Sequence, residues 1–596
     1  MTDEIRNILF DVEKPARYMG GEFNLPDMDK ECDVRGLLCF PDLYEVGMSN
    51  IGVRILYHML NDMDKVVCER CFAPADDMAN AMSEHDIPLF SLETKRTFRD
   101  FDFVGISVGF EMLYTNILYM LDLAGIAFRR EDRTESDPIL LAGGPSVVNP
   151  EPFADFFDVI LIGEGEVNLK DFVERERIAK ASGVSKADFL ASLVGVNGMY
   201  VPSLMHPIYD DNGNITGFTH RVTRSVVSDL DKAYYPTKVL VPNIEIVHDR
   251  AVLELYRGCA NGCRFCQACF YYRPIRERKV DTLLTYADEL MKSTGYNELS
   301  LASLSTGDYT CLHELVEGLR PITDKYDATL ALPSLRLDSF TEEVSEMKRG
   351  SLTFAPEAGT QRLRDVINKN ITEEDIVNTL TIAAKQGYKS IKLYFMIGLP
   401  TETDEDIEGI ADIVRLAKRV FYENGDKNKN VRISLSTAVF VPKPLTPFEW
   451  ERQISFEEME HKQTHLREAL DGIKNVRYNW HDASISRLEA AFARGGRALS
   501  RVLEIAYAKG CHFDSWTEHF DYESWLASFD EAGLAIDDYT RSREVDEVLP
   551  WDFIDNGVRR EYLSRERDRA YRGETTAGCN KGCQGCGASK LGRCFE

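Results

Sequence analysis

Three cysteines crowd the segment ELYRGCANGCRFCQACFYYRPIRER: Cys259, Cys263 and Cys266, spaced CxxxCxxC. Three thiolates on one short loop can hold a [4Fe–4S] cube and leave its fourth iron open to a substrate or cosubstrate, whereas a fourth Cys would close it for electron transfer. Gly258 and Gly262 let such a loop turn tightly around a bulky cluster. Arg257, Arg264, Arg273, Arg276 and Arg278 can offset the negative charge gathered there. The competing chemistry is a zinc knuckle with Cys269 as fourth ligand. Zinc takes CxxC pairs separated by a longer stretch, which this spacing does not supply.

A second set, Cys579, Cys583, Cys586 and Cys594, falls within sixteen residues near the C-terminus. Four thiolates can close a coordination sphere, so a second [4Fe–4S] cluster and a structural Zn²⁺ both fit. The CxxxCxxC start leans towards iron–sulfur. Cys32, Cys39, Cys68, Cys71, Cys311 and Cys511 are scattered, and most are expected to be small buried hydrophobes. Cys68 and Cys71 form a CxxC with no second pair nearby to complete a tetrahedral site.

The elements that must position these groups read as α/β. The CxxxCxxC loop directly follows AVLELY, the first of six apolar strands; the others are ELSLAS, ATLALPS, SLTFAP, SIKLYFMIG and RISLSTAVFV. Amphipathic helices fit DTLLTYADELMKS, CLHELVEGLR, TEEDIVNTLTIAAKQ and TDEDIEGIADIVRLAKRV between them. Six such units over 246–480 predict a parallel partial barrel with its site at the strands' C-terminal ends. Residues 31–170 show the same alternation: VRGLLCF, FVGISVGF, PILLAGG and DVILIGEG predict a Rossmann-like, doubly wound sheet whose carboxyl edge binds ligand. The remaining divisions are an N-terminal segment (1–30), a linker (171–245), a helical domain (481–560) and a Cys-rich metal-binding tail (561–596).

The 596-residue chain carries a formal net charge of −28, which disfavours extended nucleic-acid contact without excluding a local basic groove. No apolar run reaches membrane-spanning length, and the N-terminus lacks a secretory pattern. The expectation is a soluble, cytoplasmic protein without a membrane partner.

The cluster loop resembles that of the radical S-adenosylmethionine superfamily, including the aromatic Phe265 before the last Cys, whose counterpart there lies near the adenine. Further stretches match in chain order. Thr306-Gly307-Asp308 resembles the element that holds the methionine amino group, with Thr for the first Gly and a shorter acid. Ser334, Arg336 and Glu357 resemble polar strand-end groups around the sulfonium and ribose, and MIGLPTET, with Gly398 and Pro400, resembles the backbone element at adenine. The resemblance implies a reduced cluster that cleaves S-adenosylmethionine to methionine and a 5′-deoxyadenosyl radical, which takes hydrogen from an unactivated C–H.

A Rossmann-like domain before such a barrel resembles the cobalamin-binding class. That class carries Asp-x-His-x-x-Gly; here Asp42, Tyr44 and Gly47 stand in PDLYEVGMSNIG, and a phenol is a poor cobalt ligand. Ser107, Gly143, Gly144, Gly163 and Glu164 sit where that class cradles the nucleotide tail. The layout, with VEKPARYMGGEFN, FVPKPLTPFEW and LPWDFIDNGVRREYL, is similar to an uncharacterised branch of cobalamin-domain radical enzymes.

The implied reaction is cobalamin-linked methyl transfer to an unactivated carbon. The alternatives are a sulfur-inserting, methylthiotransferase-like or rearranging radical enzyme, and a non-catalytic cobalamin- or redox-sensing protein. A flavodoxin or ferredoxin is the implied reductant. RNA, protein and small-molecule substrates stay open.

Overall fold

The computed structural model describes residues 3–332, 336–337, 340, 352–425, 430–592 and 594. β1 (Val34–Phe40), β2 (Val66–Phe72), β3 (Phe103–Ser107), β4 (Ile139–Gly143), β5 (Val159–Leu161) and β6 (Met199–Tyr200) form one sheet in the order β2-β1-β3-β4-β5-β6. β1 to β5 run parallel and β6 antiparallel. The winding direction reverses between β1 and β3, and the strand ends open a crevice there.

β2 is not among the strands that the hydropathy pattern predicts. Its centre, Glu69-Arg70, is charged yet wholly buried, Glu69 against Arg35 at 2.9 Å and Arg70 against Glu22 and Glu93 at 2.9 and 2.7 Å. Paired charges inside a sheet hide a core strand from any pattern of apolar residues. Cys68 and Cys71, three apart on β2, point to opposite faces. Residues 171–245, read as linker, supply β6 to this sheet.

The second body carries two parallel sheets. β7 (Ala251–Glu254), β8 (Glu298–Ala302) and β9 (Thr329–Ala331) form one; β10 (Leu352–Glu357), β11 (Ser390–Ile397), β12 (Arg432–Val439) and β13 (Val476–Trp480) form the other. The helices Val280–Thr294, Leu312–Lys325, Glu373–Lys385 and Asp404–Asn424 pack their apolar stripes onto them. β13 is additional to the six strands that the sequence predicts. Its residues, VRYNW, are only half-buried or exposed, so no apolar run marks this edge strand.

The helices at 483–508 pack on the N-terminal sheet, with Leu488, Phe492, Leu499 and Leu503 in one core with Ile117 and Phe153. Arg497 fastens this contact through the fully buried Glu151 at 3.0 Å. Arg497→Met strands a carboxylate in the core. It is expected to cost about 3 kcal/mol, read as a lower urea midpoint.

Candidate functional site

The loop leaving β7 is held from several sides. Gly258 adopts φ +96°, and a Cβ there would meet the Tyr272 carbonyl at 2.9 Å. The Gly262 carbonyl accepts from Asn368 at 3.0 Å, and Arg264, fully buried, donates to the Val366 carbonyl at 2.9 Å and pairs with Glu566 at 3.2 Å. Cys259 and Cys263 are buried and Cys266 half-buried. Cys269 lies beside all three, and their proximity together with burial holds its own thiol well above the ordinary range. Cys269, with Lys369 and Arg336 nearby, holds the Cys263 thiol below that range against the opposing effect of burial.

Three thiols on one short loop, Cys259, Cys263 and Cys266, could hold a four-iron cluster and leave one iron open. Among the described residues, the group with three ligand atoms within 4.8 Å of one another is Asp76, His512 and His519.

The strand-end groups gather around this loop. Asp308, in the turn after β8, accepts from Asn261 Nδ2 at 2.7 Å, and the same amide reaches Cys259 Sγ at 3.7 Å. Gly307 lies in that turn. Glu357 closes β10 at φ +69° and pairs with the buried Lys369 at 3.0 Å; Arg336 donates to the Lys369 carbonyl at 3.0 Å. Gly398, at φ +82° beyond β11, donates its N–H to Glu402 at 2.7 Å, and Pro400 follows in the same turn. Phe265 packs against both the cluster-loop core and the core of Ala358, Leu363, Leu399 and Phe440. Ser334 lies outside the described residues.

Lys369 and Asn261 are functional candidates that sequence reading missed. The available signal was Asn368-Lys369-Asn370, whose two asparagines adopt φ +52° and +53°. Asparagine accepts such left-handed backbone more readily than most residues.

A cavity of about 470 Å³ joins the carboxyl edge of the N-terminal sheet to the carboxyl ends of β7 and β8. Ser107, Gly143, Gly144, Gly163 and Glu164 line one side, and Tyr256, Arg257 and Ser303 the other. Gly144 sits at φ +108°, where a Cβ would lie 2.7 Å from the Val108 carbonyl. Glu164 shapes the wall with both oxygens engaged: each is 2.8 Å from Arg276 Nη1, and one accepts the Val227 N–H. Arg257 bonds Glu166 at 2.5 Å and Glu254 at 2.9 Å across the junction.

Asp42, Tyr44 and Gly47 do not line this cavity. Asp42 is buried and accepts from Leu43 N and Trp516 Nε1 at 2.7 and 3.2 Å. Tyr44 is buried with its hydroxyl on Glu22 at 3.1 Å. A Cβ on Gly47 would strike the Phe72 ring at 2.4 Å. The expected cofactor role of these residues is corrected accordingly: they close the packing behind β1.

The tail cysteines come to the same loop. Cys579 N–H donates to the Ala260 carbonyl at 2.7 Å, and Cys586 shares a buried cluster with Cys259 and Cys263. The segments FVPKPLTPFEW and LPWDF build the cap over it. Gln267 donates to the Pro444 carbonyl at 3.1 Å, and Trp551 Nε1 to Glu449 at 2.8 Å.

Burial, and then the nearby Asp552 charge, pushes the Glu449 carboxyl up to about 8 from an ordinary 4.5. The folded chain therefore keeps this proton where the unfolded chain releases it. Its stabilising effect is complete below about pH 4.5 and is lost as pH rises towards 8. Glu449→Gln, which mimics the protonated acid, is expected to raise the melting temperature at pH 8 by several degrees. It should also flatten the decline in stability between pH 5 and 8 in thermal melts.

Residues 52–202 match the family described as "Radical SAM proteins, N-terminal", and residues 253–414 match the "Radical SAM superfamily". An uncharacterised protein of Methanocaldococcus jannaschii is 28% identical over 516 residues, 83% of this chain and 97% of that one. A ribosomal protein uS12 methylthiotransferase of Thermoanaerobacter is 28% identical over 234 residues, which cover 35% of this chain and 51% of that enzyme. Among solved structures, the cobalamin-dependent S-adenosylmethionine radical enzyme OxsB, with aqua-cobalamin and S-adenosylmethionine bound, aligns at TM-score 0.48 and 15% identity. That alignment covers 90% of this chain and 79% of OxsB. No helix among the described residues is long and apolar enough to cross a membrane.

Proposed function

The chain belongs to the radical S-adenosylmethionine superfamily, and from that premise we propose that it is a cobalamin-linked radical methyltransferase acting on an unactivated carbon. Superfamily membership makes it an enzyme with a [4Fe–4S] cluster and S-adenosylmethionine as cofactors. When bound, these supply a 5′-deoxyadenosyl radical, and cobalamin supplies a transferable methyl group.

Cys259, Cys263 and Cys266 are the cluster ligands in this reading. Asp308, held next to Cys259 by Asn261, would receive the methionine ammonium of S-adenosylmethionine. Glu357, set by Lys369, and Arg336 would serve the sulfonium and ribose, and Phe265, Gly398 and Pro400 the adenine. Burial of Cys259 and Cys263 under the Trp450–Trp551 cap excludes water and oxygen from the loop.

The observation that carries the cobalamin assignment is the cavity that opens both to the β1/β3 switch point and to the carboxyl ends of β7 and β8. Small residues, Ser107, Gly143, Gly144 and Gly163, leave its sheet side open to a large flat cofactor. No histidine is among its lining residues, and Tyr44 is turned away, which supports binding without a protein ligand to cobalt.

Incubation of the reduced protein with hydroxocobalamin and methyl-deuterated S-adenosylmethionine tests this. Cobalamin retained through gel filtration, with S-adenosylhomocysteine and 5′-deoxyadenosine accumulating together, is the expected outcome. Protein that cleaves S-adenosylmethionine yet never retains cobalamin would contradict it. A methylthio-transferring reading is favoured by one observation, the partial identity to the uS12 methylthiotransferase. It predicts consumption of sulfide and no requirement for cobalamin.

A further inference from the structure

The tail is a built structure. The helix Arg560–Tyr571 leads into it, and Arg559 N–H donates to the Cys586 carbonyl at 2.9 Å. Arg559 Nη2 and Arg565 Nη2 donate to the Gly585 and Gln584 carbonyls at 2.6 and 3.1 Å. Gly582, Gly585 and Gly587 adopt φ of +128°, +71° and +104°, and so wind the chain tightly around one point. A Cβ on Gly587 would meet the Gly557 carbonyl at 2.8 Å.

Arg273 lies between the two cysteine sets. It is only 3% exposed, donates to the Asn261 carbonyl at 3.1 Å, and stacks over Phe270 with its guanidinium carbon 4.9 Å from the ring centre. Its Nε and Nη1 have no hydrogen-bond partner. A buried guanidinium with two unpartnered donors suits an anion, and Cys579, Tyr562 and Cys586 lie around it. A four-iron cluster with four thiolates carries net negative charge, and sulfide accepts such N–H groups.

From these contacts we infer that Cys579, Cys583, Cys586 and Cys594 hold a second [4Fe–4S] cluster, built directly onto the loop of the first. Iron–sulfur is favoured over zinc by the CxxxCxxC start of the set and by the unpartnered Arg273 donors beside Cys579 and Cys586. Gly585 N–H donates to Cys583 Sγ at 3.4 Å, a bond that stabilises cluster thiolates. Four thiolates leave no open iron, so this cluster exchanges electrons and binds no substrate.

The second cluster faces outward where the first does not. Cys583 is exposed, whereas Cys259 and Cys263 are buried. Residues 559–592 hold eight Arg or Lys against four Asp or Glu, in a chain of net charge −28. That local reversal of sign suits an acidic one-electron carrier of the flavodoxin or ferredoxin class. Each delivery oxidises the carrier by one electron and reduces the protein by one.

The inference rests on the reading of Cys259, Cys263 and Cys266 as ligands of the first cluster, and the experiment separates the two. Wild type, Cys263→Ala and Cys583→Ala are reconstituted anaerobically as full chains. Iron, sulfide and zinc are counted, and reduced samples are examined by electron paramagnetic resonance. Wild type is expected to hold about eight irons per chain and each variant about four. S-adenosylmethionine should perturb the signal that survives in Cys583→Ala and leave the signal of Cys263→Ala unchanged. The ratio of flavodoxin-driven to dithionite-driven cleavage should fall at least tenfold in Cys583→Ala. One zinc with about four irons in wild type, or iron undiminished in Cys583→Ala, overturns the second cluster. Iron undiminished in Cys263→Ala overturns the first reading instead. Cys583→Ser, an isosteric change at an exposed position, serves as the check on folding and should match Cys583→Ala in iron content.

Discussion

Protein carrying Gly143→Phe is expected to lose cobalamin retention by at least tenfold while its iron content stays at the wild-type level. Gly143 ends β4 at the carboxyl edge of the N-terminal sheet and lines the cavity. A Cβ there meets nothing closer than Leu161 Cβ at 4.0 Å, and its φ lies outside the left-handed region, so the backbone accepts a side chain. A phenyl ring then occupies the space that a large planar cofactor would need. Retention on gel filtration and the visible spectrum read the loss. The neighbouring position serves as contrast. Gly144→Ala sets a Cβ 2.7 Å from the Val108 carbonyl on a backbone at φ +108°, and is expected to destabilise the sheet itself. A Gly143→Phe protein that binds cobalamin as tightly as wild type would move the cofactor away from this edge.

Cys263→Ala should abolish S-adenosylmethionine cleavage, a loss of at least a thousandfold in 5′-deoxyadenosine formed per chain. Removing one of three thiolates leaves two, and two do not hold a cube with a single open iron. Cys263 is buried beside Lys369 and Arg336 at the end of the loop segment that Asn368 and Arg264 fasten. Cys269→Ala is the informative companion. Cys269 lies beside the three thiols and is not itself a ligand in this account. Its loss should leave iron content near wild type and alter the redox potential of the cluster, read by an optical titration. Iron loss in Cys269→Ala equal to that in Cys263→Ala would return the site to a four-thiolate chemistry.

The strands of the two sheets after residue 250 were legible because they are apolar runs set between helices with clear caps and stripes. All six predicted strands overlap observed ones, and the CxxxCxxC loop follows the first of them. Legibility failed where burial depends on pairing. β2 was missed because Glu69 and Arg70 sit in the core on ion pairs with residues far along the chain. β13 was missed because an edge strand with Arg477 and Asn479 shows no apolar run. Among candidate site residues, those at strand ends fall where the parallel topology puts them, including Ser107, Gly143 and Gly163. Asp42, Tyr44 and Gly47 do not, because motif spacing alone cannot say which way a loop faces once Glu22 and Trp516 bond to it. The approach of Cys579 to Ala260 crosses more than three hundred residues, and no local pattern carries it.

The central claim is that this loop supports radical chemistry on S-adenosylmethionine, and one measurement tests it most directly. Wild-type protein is reconstituted anaerobically to full iron occupancy, reduced and given S-adenosylmethionine, and 5′-deoxyadenosine is quantified by mass spectrometry. The account predicts 5′-deoxyadenosine and methionine in equal amounts, formed over several turnovers. Full cluster occupancy with S-adenosylmethionine left intact would contradict it.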